Sequence, residues 1–256
     1  MYRFLYSATL VCLLATGVFA QDPLLVAPQN YRLQLENDWV KVVRVHYGPR
    51  EKVPAHDHTQ TGAAYIYLND CGPVIFKHIN LSYGAITRPE TKAGSFRLYK
   101  AVKEVHEVEN PNDTPSDFLR VEFKTEPVND KTLRGKFHRE SYPAGENFQK
   151  VQFENEQIRV TRLVIAPNKK MDVSTNSSEP ALLIALSPAK FKVSGKKIKA
   201  AQLSLEMGRA RWLGADRQET LENSGGAPLE LLRFDLKTKP VKSDPNDKGK
   251  PHAHPH

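Results

Sequence analysis

The chain is 256 residues long, carries a formal charge of +8 and contains two cysteines. Its lysines and arginines are interspersed with glutamates and form no aromatic-and-basic recognition motif, so the excess charge reads as a solvated surface and nucleic acid is excluded as an expected partner. Cys12 lies in an N-terminal apolar run and only Cys71 stands beyond it, which leaves no intramolecular disulfide and makes packed cores the source of stability.

In chain order, the first element is a leader. Residues 1–20 combine Arg3, an apolar run over 8–19 and small residues at Val18 and Ala20, just before the polar Gln21, Asp22 and Pro23. That is the pattern of a secretory signal peptide cleaved near Ala20. The run is shorter than the roughly 20 apolar residues of a spanning helix. The mature form is therefore expected to have no membrane span and to be secreted or periplasmic.

Next come β-branched and aromatic runs at 39–47, 63–68, 74–79 and 118–123, with a turn at 69–73. After a polar, charged connector the same texture returns at 158–165, 181–186 and 229–236, with a turn at 223–226. Evenly spaced strands broken by turns predict an antiparallel sandwich or barrel in each half. The halves are also alike residue by residue. Glu36, Asn37, Val42 and Arg44 recur 118 positions later as Glu154, Asn155, Val160 and Arg162, and Pro49 and Lys52 recur as Pro167 and Lys170. The closing runs 118–124 and 231–237 match at an offset of 113, as a loop shortened by five residues would give. These landmarks divide the chain into a leader at 1–20, a first domain at 27–126, a connector at 127–144, a second domain at 145–238 and a tail at 239–256. The tail is too polar to bury a core and is expected to be disordered. Its alternating His252, His254 and His256 suit weak metal binding.

The chemistry is concentrated in three histidines of the first unit. Along a strand His56 and His58 point the same way while Asp57 faces away, so both imidazoles reach one ion. His106 stands in a second alternating stretch, 103–110, near the end of the same unit. Gly48, His56, His58 and Gly72, followed by Gly94, His106 and Asn110, resemble the two ordered motifs of the cupin superfamily, and the duplication looks like that of a bicupin. The resemblance implies an all-β fold class of two tandem cupin-like double-stranded β-helix (jelly-roll) barrels. It departs from the family where the carboxylate ligand belongs, since 59–64 contains no glutamate. Two ligand sets follow: three histidines alone, or His56, His58 and His106 with Gln60. Either suits one divalent transition metal (iron, zinc, copper, nickel or manganese) without telling them apart.

At the matching positions of the second unit stand Ser174, Asn176 and Glu219, so that barrel is expected to hold no metal. Tyr65, Tyr67, Arg97 and Tyr99 are the candidate substrate contacts. Among nearby carboxylates, Glu104 shares the parity of His106 and Glu107 does not. His46 and His78 read as ordinary strand or core histidines, and His138 as an exposed connector residue. The expected activity is that of a metal-dependent, dioxygenase-like oxidoreductase acting on a small organic molecule, and the alternative is a non-catalytic protein that binds metal or a small ligand. Homo-oligomerisation is left open.

Overall fold

The computed structural model describes residues 21–241 apart from Thr59, Asn80, Tyr83 and 129–131. The expected leader and the histidines of the tail lie outside the described residues.

Each half begins with a hairpin closed by the repeated Glu-Asn pair. Asn37 Oδ1 accepts from the backbone of Trp39 and Val40, and Asn155 Oδ1 accepts from Gln157 and Ile158. An Asx side chain that mimics a backbone turn explains why this asparagine stands in both copies. Asn110 and Asn223 do the same near the far end. Each is buried, and its amide donates to carbonyls of its own unit, Gly48 and Thr114 in one case and Ile165 and Ala227 in the other.

A short helix, α1 (Pro23–Val26), capped by Asp22, precedes the first unit. Its strands are β1 (Tyr31–Glu36), β2 (Val40–Tyr47), β3 (Lys52–Asp57), β4 (Ala63–Tyr67), β5 (Val74–His78), β6 (Ala85–Arg88), β7 (Phe96–Tyr99), β8 (Val105–Glu109) and β9 (Ser116–Phe123). β10 (Gly135–Phe137) follows in the connector. The second unit contains β11 (Phe148–Glu154), β12 (Ile158–Ile165), β13 (Lys170–Asp172), β14 (Ala181–Ala185), β15 (Ala189–Gly195), β16 (Ile198–Leu205), β17 (Ala210–Leu213), β18 (Thr220–Asn223) and β19 (Leu229–Leu236). The sheet orders are β1-β2-β9-β4-β7-β10 and β3-β8-β5-β6 in the first unit, and β11-β12-β19-β14-β17 and β13-β18-β15-β16 in the second. Adding ten to the numbers of β1 to β9 turns the first unit into the second, and β10 is an addition at the edge of the first. The chain is thus all-β, with two antiparallel jelly-roll barrels of the same topology. No helix among the described residues is long and apolar enough to cross a membrane.

Three cores hold this together. Inward residues of β2, β4 and β9 (Val43, Val45, Tyr65, Tyr67, Phe118) fill the first barrel, and Leu163, Ile165, Leu183 and Leu231 fill the second. The alternate residues of the same strands, Val42, Ile66, Val121, Val160, Ile184 and Phe234 among them, form a third core between the barrels. Strands buried on both faces read as unbroken apolar runs, which is why β4 and β14 are buried at every position. The repeated arginine reaches across this contact in both directions. Arg44 Nη1 donates to the carbonyl of Met207, and the fully buried Arg162 donates through Nη2 to Gly94 and through Nη1 to Glu230.

Two stretches outside the two domains are held in place, and the second differs from expectation. The connector supplies a strand, since β10 pairs with the edge of β7, Lys136 opposite Arg97. The first residues of the expected tail are also anchored: Pro240 bridges Thr125, Glu126 donates to the carbonyl of Lys239 and Val241 to that of Lys124. The backbone bonds made by Lys124 and Glu126 need no apolar side chain, so a polar segment can supply their partners as well as an apolar one.

Candidate metal centre

β3 carries a bulge that the alternation rule does not foresee. Val53 lies opposite Val108, and His56 opposite His106, so three residues of β3 span two of β8. The irregular pair is Pro54 and Ala55, at a place where a proline lacking an N–H does no harm. The extra residue lets Val53 and His56 both face the barrel interior, where both are buried. His106 is also opposite His78 of β5, so three histidines stand side by side on adjacent strands. His58 lies one residue beyond β3, and its backbone donates to the carbonyl of Glu104.

The rings of His56, His58 and His106 form a nearly equilateral triangle with centroid separations of 4.9, 4.8 and 5.1 Å. One nitrogen from each lies within 4.8 Å of the others. The His56 Nδ1–H donates to the carbonyl of Pro54 at 2.8 Å, which leaves Nε2 as the lone-pair nitrogen. That lone pair accepts from the hydroxyl of Tyr31, which in turn is 2.8 Å from the hydroxyl of Tyr47. His106 is buried with no hydrogen-bond partner at either nitrogen among the described residues. Burial pushes all three imidazoles below their usual range, His58 and His106 well below it, with Arg120 and the neighbouring histidines adding to the effect. They are therefore neutral at physiological pH, the form that ligates a cation. An unsatisfied buried imidazole beside two neutral ones fits a transition ion. Binding at His56 Nε2 requires Tyr31 to release its hydrogen bond while keeping that to Tyr47.

Gln60 does not join them. β3 ends at Asp57, the alternation stops there, and Gln60 is exposed. A buried carboxylate is present from another direction: Glu104 lies 3.8 Å from His106 Nδ1 and 3.8 Å from His78 Nε2. His78, Glu104 and His106 form a second close group that shares His106 with the first. The parity of Glu104 was legible in the sequence, but the role of His78 was not, because only the register of β5 on β8 brings it there. Tyr31 and Tyr47 were missed because they reach the histidines from the other sheet of the barrel, a placement that local periodicity does not show. His46, by contrast, is exposed and bonds Asp117 at 3.0 Å.

The expected substrate contacts all belong to the inward faces of β4 and β7. Tyr65 and Tyr67 are buried, and Tyr65 accepts from Arg120 Nη1 at 3.0 Å. Arg97 lies over the rings of Tyr65 and Tyr99, 4.7 and 5.3 Å from their centroids. A cavity of about 80 Å³ reaches His58 and Tyr31 from outside, lined also by Asp22 and Leu24 of the α1 segment and by Arg120.

In the second barrel the places of the first site's histidines are filled differently. Glu219, at the position of His106, is buried and bound by Arg211 and by Arg217. Ser174 bonds the backbone of Glu219, and Asn176 is exposed.

No family model and no curated protein matches the sequence. Solved structures do match. Oxalate decarboxylase from Lactobacillus farciminis, as a formate complex, is 11% identical with a TM-score of 0.55 over 84% of this chain and 86% of that one. AerE from Microcystis aeruginosa is 12% identical with a TM-score of 0.55 over 81% and 97%. A mutant salicylate 1,2-dioxygenase from Pseudoaminobacter salicylatoxidans, in complex with gentisate, is 11% identical with a TM-score of 0.52 over 78% and 69%. The fold is that of a bicupin. At such identities the likeness carries the bicupin architecture alone, and the chemistry must be argued from the site.

Proposed function

We propose that this bicupin is an exported, metal-dependent oxidoreductase of dioxygenase type, acting on a small organic molecule in its first barrel. The reading rests on one observation above all: three buried neutral imidazoles converge, and one of them, His106, has no hydrogen-bond partner for either nitrogen among the described residues. His56, His58 and His106 would hold one divalent transition ion. Three neutral ligands leave positions for substrate or dioxygen, and the ion would supply Lewis acidity or a redox couple.

The chain's own groups supply the rest. Pro54 fixes the tautomer of His56, and Glu104 stands where it can orient His106 through Nδ1, the usual task of a carboxylate behind a ligating imidazole. The Tyr31–Tyr47 pair places a phenolic proton beside the ligand set, and both phenols stay protonated because burial raises their pKa values. Packing of Tyr47, Phe76 and Phe118 keeps bulk water from the interior. The neighbouring folds solved with gentisate and with formate support a small organic ligand here.

Elemental analysis of purified protein tests the site. The wild type is expected to retain about one equivalent of metal and the His56→Ala/His58→Ala variant none, with the tail removed from both. Metal that disappears with the tail alone would refute the barrel site. Oxygen uptake by the iron-loaded wild type across a panel of thiols, phenols and hydroxyacids tests turnover. A fully loaded protein with no uptake on any of them would leave a binding protein instead.

A further inference from the structure

Glu104 is buried in the first barrel without a lysine or arginine to balance it. It is 3% exposed, and the only basic nitrogens within 4 Å of its carboxylate among the described residues are His78 Nε2 and His106 Nδ1, each at 3.8 Å and facing different oxygens. Buried charges are paired with cations or coordinate metals. The second barrel shows the first solution. The offset of 113 carries Glu104 and His106 onto Arg217 and Glu219, and Gly195 follows Ser194 where His78 follows Lys77 in the matching strand pair. There Arg217 Nε donates to Glu219 at 3.1 Å, so the balancing cation belongs to the chain. All three residues of the Glu104 group are replaced together, and with them the need for an ion.

The geometry around Glu104 is that of ligands rather than of hydrogen bonds. His78 donates its Nδ1–H to the carbonyl of Gly84 at 3.2 Å, so the neutral ring carries its lone pair on Nε2, the nitrogen that faces Glu104. A separation of 3.8 Å is too long for a hydrogen bond. Two ligands bonded to one ion at about 2.0–2.2 Å each stand roughly 3–4 Å apart. One ligand atom from each of His78, Glu104 and His106 lies within 4.8 Å of the others, and all three residues are buried. This set offers a carboxylate and two imidazoles, whereas His56, His58 and His106 offer imidazoles alone. Carboxylate oxygen suits harder ions such as manganese, and imidazole suits zinc and copper.

We propose that His78, Glu104 and His106 form a second divalent-ion position, suited to Mn(II), which shares His106 with the histidine trio and is filled only when the trio is not. The exclusion follows from the shared ring. A neutral imidazole has one lone-pair nitrogen, so His106 serves one ion at a time: through Nδ1 at the second position, or through Nε2 at the first while Nδ1–H points at Glu104. Manganese stands at the weak end of the divalent series, so this position fills from added ion and purified protein arrives without it. The inference goes beyond the proposed function and does not depend on it.

The experiment titrates chelator-treated, full-length protein with Mn(II), reading the free ion from its paramagnetic resonance, and measures zinc affinity separately by competition with a chromophoric chelator. The wild type and His56→Ala/His58→Ala are expected to bind manganese alike. Glu104→Gln and His78→Leu should each bind it more than about 100-fold more weakly, beyond what loss of a group that merely orients a ligand costs. Zinc should follow the opposite order: its affinity falls in His56→Ala/His58→Ala and stays within roughly 10-fold of wild type in Glu104→Gln, where the amide oxygen still accepts from His106 Nδ1–H. Excess zinc should release the manganese held by the wild type. Manganese bound by folded Glu104→Gln and His78→Leu as tightly as by the wild type, manganese lost from His56→Ala/His58→Ala, or manganese retained in excess zinc would each overturn the proposal. Absence of manganese binding in the wild type would overturn it too, and the zinc results would still decide the trio on their own.

Discussion

Replacing His106 by leucine gives opposite results with and without metal, and that reversal is the sharpest test of the site. The ring is 1% exposed and neither nitrogen is bonded among the described residues, the nearest carboxylate oxygen being 3.8 Å away. A neutral imidazole carries one donor and one acceptor, and a buried polar group without a partner costs about 1–3 kcal/mol. Leucine has similar bulk and no polar atom, and its mismatch in shape returns part of that gain. In the presence of chelator His106→Leu should therefore be more stable than the wild type by about 1–3 kcal/mol, at about 2–4 °C of melting temperature per kcal/mol for a chain of this size. Zinc reverses the order. At a free concentration one hundred times its dissociation constant, an ion that binds only the folded wild type adds about 2.7 kcal/mol, and the variant gains nothing. The assay is a pair of thermal melts, each in chelator and in excess zinc, repeated with His106→Met to average over shape. Variants less stable than the wild type in chelator would refute the reasoning, because His106 would then be a satisfied core residue.

Other outcomes follow from the same geometry. His56, His58 and His106 titrate lower in the folded chain than in the unfolded one, so below about pH 6.5 the unfolded state takes up protons that the native state refuses. Stability of the metal-free protein should fall as pH drops from 6.5 towards the folded values, and urea melts of wild type and His58→Leu at pH 7 and 5.5 will show a smaller loss in the variant, which keeps His56 and His106. Arg162→Ala removes a fully buried partner of Glu230 and should cost about 3 kcal/mol in chemical denaturation, with Arg139 retaining part of the ion pair. Cys71 is buried and 3.1 Å from the hydroxyl of Thr91, so a thiol reagent should modify it slowly in native protein and fully in denaturant. Mass spectrometry of the exported protein should find Gln21 as its first residue; a retained leader would refute the secretion proposal.

Much of the fold was legible because the duplication writes it twice. Strands buried on both faces, such as 158–165 and 229–236, stand out as apolar runs, and the repeated asparagines mark the turns that position them. The edge strands were harder to see. β6 and β16 are largely exposed, their residues follow no alternation, and only their partners hold them extended. At the site, His56, His58 and His106 were recognisable from spacing. The bulge at Pro54 and Ala55, the end of β3 before Gln60, and the arrival of Tyr31 and His78 depend on pairing between distant segments, which local periodicity does not encode.

The two-way grasp of Arg44 and Arg162 has a consequence of its own. A self-complementary contact of this kind is how identical subunits associate, and here a peptide connector makes the partnership unimolecular. Dilution cannot separate the halves, so one lobe is free to fill its interior with an arginine-glutamate knot while its sibling keeps a buried trio of histidines.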